Sequence, residues 1–311
     1  MSLEQSFHTQ PEIEIDREYV EAYPLNWKTA NQEVINTIYN SNSHAGINEV
    51  SIYIHNPFCP KICSFCNFNV TEYDGRLYKS YLNALNKELQ TYKDHPDIEG
   101  KKVTAVYFGG GTGSMLRPSD INFLLNNVSS IFTMDSNAEV TVECHPNTVG
   151  ERRFREYQSA GVNRVTLGIQ SFSDSNLTAI GRDHTADKNR KILSEARSVG
   201  FKNVGIDLMY RLPDQNIENL MQELKIITDF SPDTVSAYSL EADETIFNGG
   251  SKIPSDALDR EMFYLVGDYL KTFGYNRYMQ PDFALSGKEC QYVVNAWKAP
   301  QKLLLGLGAG A

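Results

Sequence analysis

Residues 51–68 read Ser51-Ile-Tyr-Ile-His-Asn-Pro-Phe-Cys59-Pro-Lys-Ile-Cys63-Ser-Phe-Cys66-Asn-Phe68. The first part, Val50–His55, is rich in β-branched and aromatic residues and predicts a strand. The rest predicts a loop that carries three thiols. Outward from it, the same rhythm recurs. Val103–Phe108, Ala138–Glu143, Arg164–Ile169, Asn203–Met209 and Thr234–Ser239 predict further strands. Between them, Arg76–Tyr92, Pro118–Phe132, Gly150–Ala160, Ala186–Val199 and Asn216–Phe230 carry apolar residues at helical spacing. Pro118 suits a first helical turn, and Gly161 and Gly200 suit helix ends. Each crossover helix returns the chain to the same end, so the strands are expected to be parallel. The fold class is therefore α/β. A complete eightfold barrel takes about 250 residues; six units in less chain predict an incomplete (βα)6 barrel. The rhythm alone leaves a doubly wound sheet open.

Residues 1–48 are polar and weakly patterned and are expected to form an N-terminal extension, in which Tyr23–Trp27 could cover something. Residues 49–245 form the expected core. Residues 246–311 form an extension, with a helix over Ser255–Phe273. The chain ends in Leu303-Leu-Leu-Gly-Leu-Gly-Ala-Gly-Ala311. Such a run would leave apolar surface exposed, so a further C-terminal domain is expected beyond a truncated extension. With 29 Lys and Arg against 39 Asp and Glu, the formal net charge of −10 disfavours phosphate backbones and anionic lipid as partners. No apolar run reaches the roughly 20 residues that a membrane helix needs, and residues 1–16 do not resemble a secretory signal. The expected place is the cytoplasm.

Five cysteines in a chain of this length argue against a disulfide framework. The loop after a strand of a parallel α/β fold lies at the carboxyl end, where sites gather. The spacing Cys59-x3-Cys63-x2-Cys66 lets one loop place thiolates on three corners of a cubane cluster, leaving one iron open to a small chelating ligand. A zinc site, with His55 as a fourth ligand, and incidental thiols are the alternatives on spacing alone. Cys144 and Cys290 stand apart.

Further polar residues fall at expected strand ends. Tyr107-Phe-Gly-Gly-Gly-Thr-Gly-Ser114 brings backbone close to a ligand at Gly109, Gly110, Gly111 and Thr112. It lacks the lysine of a phosphate-binding loop. Glu143 can accept hydrogen bonds from an amine or ribose, or cap the next helix. Gln170, Arg182 and Asp207 are costly within apolar surroundings unless paired or facing a pocket; an internal Arg182–Asp207 salt bridge is the plainer reading. Cys144 and His145 read as packing or loop residues, and His184 as a helix start.

Taken together, the Cys-x3-Cys-x2-Cys loop on a partial barrel and the Gly-Gly-Gly-Thr segment resemble the radical S-adenosylmethionine (SAM) family. The details are similar to the subgroup of oxygen-independent coproporphyrinogen III oxidase, from about Val50 to Ala311. The resemblance implies a 4Fe–4S cluster on Cys59, Cys63 and Cys66 and reductive cleavage of SAM to a 5′-deoxyadenosyl radical. Tyr53, Phe65, Gly109, Gly110, Gly111, Thr112, Glu143 and Arg182 match positions near the cluster and its SAM. Gln170 and Asp207 match positions that touch a second SAM. A small-molecule or tetrapyrrole-like substrate and a flavodoxin or ferredoxin as electron donor are further implications. The oxidase usually carries one more cysteine, where this chain has Phe68. A related heme chaperone group has a late His-Asn and Tyr-Trp pattern; here Tyr292, Val293 and Ala296 replace three of those residues. These departures favour C-methylation chemistry by a methyltransferase-like relative. The alternatives are an oxidoreductase that decarboxylates coproporphyrinogen and a non-catalytic heme chaperone.

Overall fold

The computed structural model describes residues 46–93, 95, 98, 100–241, 252–298 and 302–311. The expected extension up to residue 45, with Tyr23–Trp27, lies outside these residues, as does the expected boundary at 245/246. The chain divides into two units, Met1–His44 and Ala45–Ala311, and only the second is described.

All six expected strands form. They are β1 (Glu49–Asn56), β4 (Lys102–Gly110), β5 (Thr133–Cys144), β6 (Arg164–Gln170), β7 (Asn203–Tyr210) and β8 (Thr234–Ser239). A short ribbon, β2 (Phe58–Cys59) with β3 (Thr71–Glu72), follows β1. Late in the chain come β9 (Asn276–Arg277), β10 (Asp282–Ala284) and β11 (Leu303–Leu307). The main sheet runs β11-β1-β4-β5-β6-β7-β8-β10-β9. From β11 to β8 every pairing is parallel; β10 joins β8 and β9 antiparallel. This is the partial barrel rather than the doubly wound sheet.

The helices are α1 (Gly75–Thr91), α2 (Pro118–Ile131), α3 (Glu151–Ser159), α4 (Asp174–Ala179), α5 (Ala186–Val199), α6 (Ile217–Phe230), α7 (Asp256–Thr272) and α8 (Gln291–Trp297). Their starts follow from side-chain chemistry. Asp74, Thr185, Asn216 and Ser255 accept hydrogen bonds from first-turn amides of α1, α5, α6 and α7. Gly200 ends α5 in the left-handed region, which a side chain would resist.

One face of each strand is apolar and packs on the helices. Ile52, Ile54, Val106, Phe108, Val142, Val165, Leu167, Ile206 and Leu208 are buried in that layer. The concave face is polar, with Tyr53, Tyr107, Glu139, Glu143, Arg164, Thr166 and Asp207 in contact across strands. Arg164 reaches over β7, past the bare backbone of Gly205, to Thr234 of β8 at 3.0 Å. Helix α8 closes one mouth. Its Asn295 donates to Ser51 and Thr104, and its first amides donate to Glu139.

The terminal leucines correct one expectation. Leu303–Leu307 does not lie exposed as a whole. It pairs with β1 from Val50 to Ile54, and Leu305 and Leu307 are buried. The run is apolar because it is a sheet strand with one face on the core. Among the described residues, no helix is long and apolar enough to cross a membrane.

Candidate functional site

The carboxyl ends of β1, β4, β5, β6, β7 and β8 converge on the thiol loop. That loop is pinned at both ends. Thr71 donates to the Pro57 carbonyl at 2.8 Å and Tyr73 to the Cys59 carbonyl at 3.0 Å, forming the β2–β3 ribbon. His55 Nε2 meets the Asn69 carbonyl at 2.9 Å. Within the loop, the Cys66 amide donates to the Cys63 carbonyl at 3.2 Å. Cys59 is buried, while Cys63 and Cys66 are partly accessible. Burial pushes the Cys59 and Cys66 thiols up, opposed at Cys59 by Thr112.

The glycine segment abuts this loop. The Gly111 amide donates to Asn56 O at 2.8 Å, and Asn56 Nδ2 donates to Thr112 O at 2.6 Å. Thr112 Oγ1 lies 3.4 Å from Cys59 Sγ. A Cβ on Gly111 would lie 2.6 Å from the Pro57 carbonyl oxygen and 2.9 Å from Cys59 Sγ. Gly109 faces Glu143 in the same way, at 2.9 Å from Oε2. The missing side chains are what let the backbone approach the thiol.

Glu143 accepts from Tyr107 Oη at 2.8 Å and from the Gly110 amide at 3.1 Å. Burial raises its pKa, and these two donors oppose the rise. Arg182 crosses the mouth from the α4–α5 connection. One terminal nitrogen lies 3.4 Å from Cys63 Sγ and the other donates to the Gly168 carbonyl at 2.6 Å. Its Nε is buried without a partner among the described residues. Arg182 thus links to the thiol loop rather than forming the alternative salt bridge with Asp207. Gln170 ends β6 at a φ of 65°, a strained value for this residue type, and accepts from Tyr238 Oη at 2.5 Å. The loop after it is clamped by Glu223, which accepts from Ser171, Phe172 and Asn176.

Tyr53 stacks on Tyr107 with centroids 6.0 Å apart, and Tyr292 of α8 covers both. Phe65 packs on a separate apolar group that contains Ile180, Met209, Leu212 and Leu240. Phe68 is 67% exposed. Cys144 lies on the apolar side of β5, and Thr185, not His184, caps α5.

Asp207 faces the concave side and accepts from Thr166 at 3.5 Å. Burial, then the Glu143 and Asp282 charges, push it up to about 7 from its ordinary 3.8. A folded-state pKa above the unfolded one stabilises in acid, and that contribution is lost as pH rises from about 4 through 7. Asp207→Asn is expected to flatten this loss by up to about 1.4 kcal/mol per pH unit in that window. Thermal denaturation of both proteins between those pH values measures it. Parallel Tm profiles would contradict the assignment.

Sequence reading missed Tyr107, Tyr238, Asn56 and Thr166. Strand alternation could have found Tyr107, two residues before Gly109 on the same face. Nothing in the sequence marks the contact of Tyr238 with Gln170, 68 positions away.

Three thiols on one loop, a side-chain-free glycine edge and an orphaned Arg182 Nε suit a group larger than a single ion, with an open face.

Comparison with known proteins agrees with this geometry. The radical SAM superfamily matches residues 53–225. The heme chaperone HemW of Haemophilus influenzae is 33% identical over 84% of this chain and 69% of its own length. The "radical S-adenosyl methionine domain-containing protein 1, mitochondrial" of Danio rerio is 29% identical over 92% of this chain and 65% of its own. The solved coproporphyrinogen III oxidase HemN of Escherichia coli shares the fold, with a TM-score of 0.77 at 24% identity. That match covers 90% of this chain and 67% of HemN.

Proposed function

Because this chain belongs to the radical SAM superfamily, with a 4Fe–4S cluster and SAM as cofactors, we propose that its barrel mouth holds both and cleaves SAM reductively. Cys59, Cys63 and Cys66 are the cluster ligands in this reading. When bound, the cluster supplies one electron to SAM, whose cleavage gives a carbon-centred radical for hydrogen abstraction.

The chain's own residues do the rest. The backbone at Gly109–Thr112 presents an edge that a methionine moiety can approach. Glu143 offers a carboxylate to offset the ammonium charge of SAM. Arg182 is set between a cluster thiol and Gly168, where a guanidinium can meet the SAM carboxylate. Gln170 and Asp207 serve a second SAM. Tyr53, Tyr107 and Tyr292 wall off the far side and keep water from a radical. The carrying observation is the contact set that joins Thr112 to Cys59 and Arg182 to Cys63. An electron donor of flavodoxin or ferredoxin type and a small-molecule substrate complete the proposal.

A second reading comes from the relatives named heme chaperones. It asks this chain to bind heme. Tyr292, which stands where that group has histidine, packs against both Tyr53 and Tyr107, so it offers no open axial ligand. The C-methylation expectation has no support among the relatives described. Neither does decarboxylation, since the likeness to HemN is one of fold.

Equilibrium dialysis of the reconstituted protein against labelled SAM, then against heme, separates the readings. SAM retention that falls in Glu143→Gln, with weak heme uptake, is the expected result. Heme uptake without SAM retention would overturn it.

A further inference from the structure

Next to Arg182, which reaches the thiol loop, lies a second group of metal-type donors. One ligand atom each from His145, Asp183 and His184 falls within 4.8 Å of the others. His145 directly follows β5; Asp183 and His184 lie between α4 and α5. The two imidazole rings meet edge to face with centroids 5.1 Å apart. Asp183 Oδ1 is 3.6 Å from His145 Nε2 and accepts from Asn147 Nδ2 at 3.0 Å.

The independent observation is His184. This side chain is only 6% exposed. Its Nε2 faces the Ile169 carbonyl at 3.4 Å, which fixes the proton there. Nδ1 therefore carries a lone pair, and it is buried with no partner among the described residues. An imidazole that donates one nitrogen to a carbonyl and keeps the other unpartnered, on a residue that already shares a donor cluster, is the arrangement of a metal ligand.

We propose that His145 Nε2, His184 Nδ1 and an Asp183 carboxylate oxygen bind one divalent ion of the zinc or ferrous class, separate from the cluster. Two imidazoles and one carboxylate suit such ions, with the exposed side of Asp183 left to water. The donors must draw together to about 3.3 Å, as bonds of about 2 Å in tetrahedral array dictate. Asp183 sits on an exposed connection and can move. His145 Nδ1 now accepts the Asn147 amide at 3.2 Å. Ligation at Nε2 moves the ring proton to Nδ1 and gives up that one neutral hydrogen bond, a small loss against three coordinate bonds. The ion would brace the backbone that carries Arg182, which reaches Cys63.

The test uses the cluster-loaded protein dialysed anaerobically against buffered zinc, with iron measured alongside. Wild type is expected to retain one zinc per chain without loss of iron. Asp183→Asn and His184→Ala are each expected to weaken zinc binding at least about tenfold. Asp183, being at the surface, keeps the test usable if His184→Ala fails to fold. No retained zinc, zinc retained only as iron is lost, or equal retention in a folded variant would each overturn the site. Because zinc retention is read without turnover, it stands or falls apart from SAM cleavage.

Discussion

Replacing Cys59, Cys63 or Cys66 singly by alanine is expected to abolish stable cluster assembly, while Cys144→Ala and Cys290→Ala retain wild-type iron. The reason is positional. The first three thiols share one loop, pinned by Thr71 to Pro57 and by Tyr73 to Cys59. With two thiolates left, the group has no third anchor and no other thiol can move in. Cys144 is buried on the apolar side of β5. Cys290 is buried beside Glu139 at the mouth closed by α8. Burial pushes both thiols well up, so they are poor ligands where they lie. Iron and sulfide content after anaerobic reconstitution measures the effect. Cluster loss confined to Cys144→Ala or Cys290→Ala would overturn the ligand assignment.

The second large effect is steric. Gly111→Ala is expected to lower SAM cleavage by at least about a hundredfold, or about 2.7 kcal/mol of barrier. The new methyl would press on the Pro57 carbonyl and on Cys59 Sγ at once, at 2.6 and 2.9 Å. Neither can retreat easily, since Pro57 accepts from Thr71 and Cys59 accepts from Tyr73 and is a cluster ligand in the proposed reading. Either the glycine edge moves into the space for SAM or the thiol shifts from the cluster. Gly150→Ala is the control, because its Cβ would come no closer than 3.6 Å to the Glu195 carboxylate. Its backbone is extended, so it is expected to behave as wild type. Equal activities in the two variants would contradict the role given to the Gly111 edge.

Much of the frame was legible because burial on a parallel sheet writes itself as β-rich runs between helical periods. The six strands and the major helices followed from that pattern. Leu303–Leu307 did not. A short apolar strand at the end of the chain looks like exposed surface until its partner, β1, is known. Helix α8 is only seven residues long and has no side-chain cap, so no local signal announced it. The site was legible in its loops, where cysteine and glycine spacings are local facts. Its wiring was not. Arg182 to Cys63 spans 119 positions, and Tyr238 to Gln170 spans 68. Nor does the sequence show that Gln170 takes a positive φ or that Tyr292 turns into the barrel. Such contacts arise only when the sheet curls.

The most direct measurement is anaerobic turnover of the reconstituted protein with dithionite and SAM, followed by mass spectrometry. The account predicts 5′-deoxyadenosine from wild type and none from Cys63→Ala. Wild type that holds an intact cluster and binds SAM, yet releases no 5′-deoxyadenosine under reduction, would contradict it.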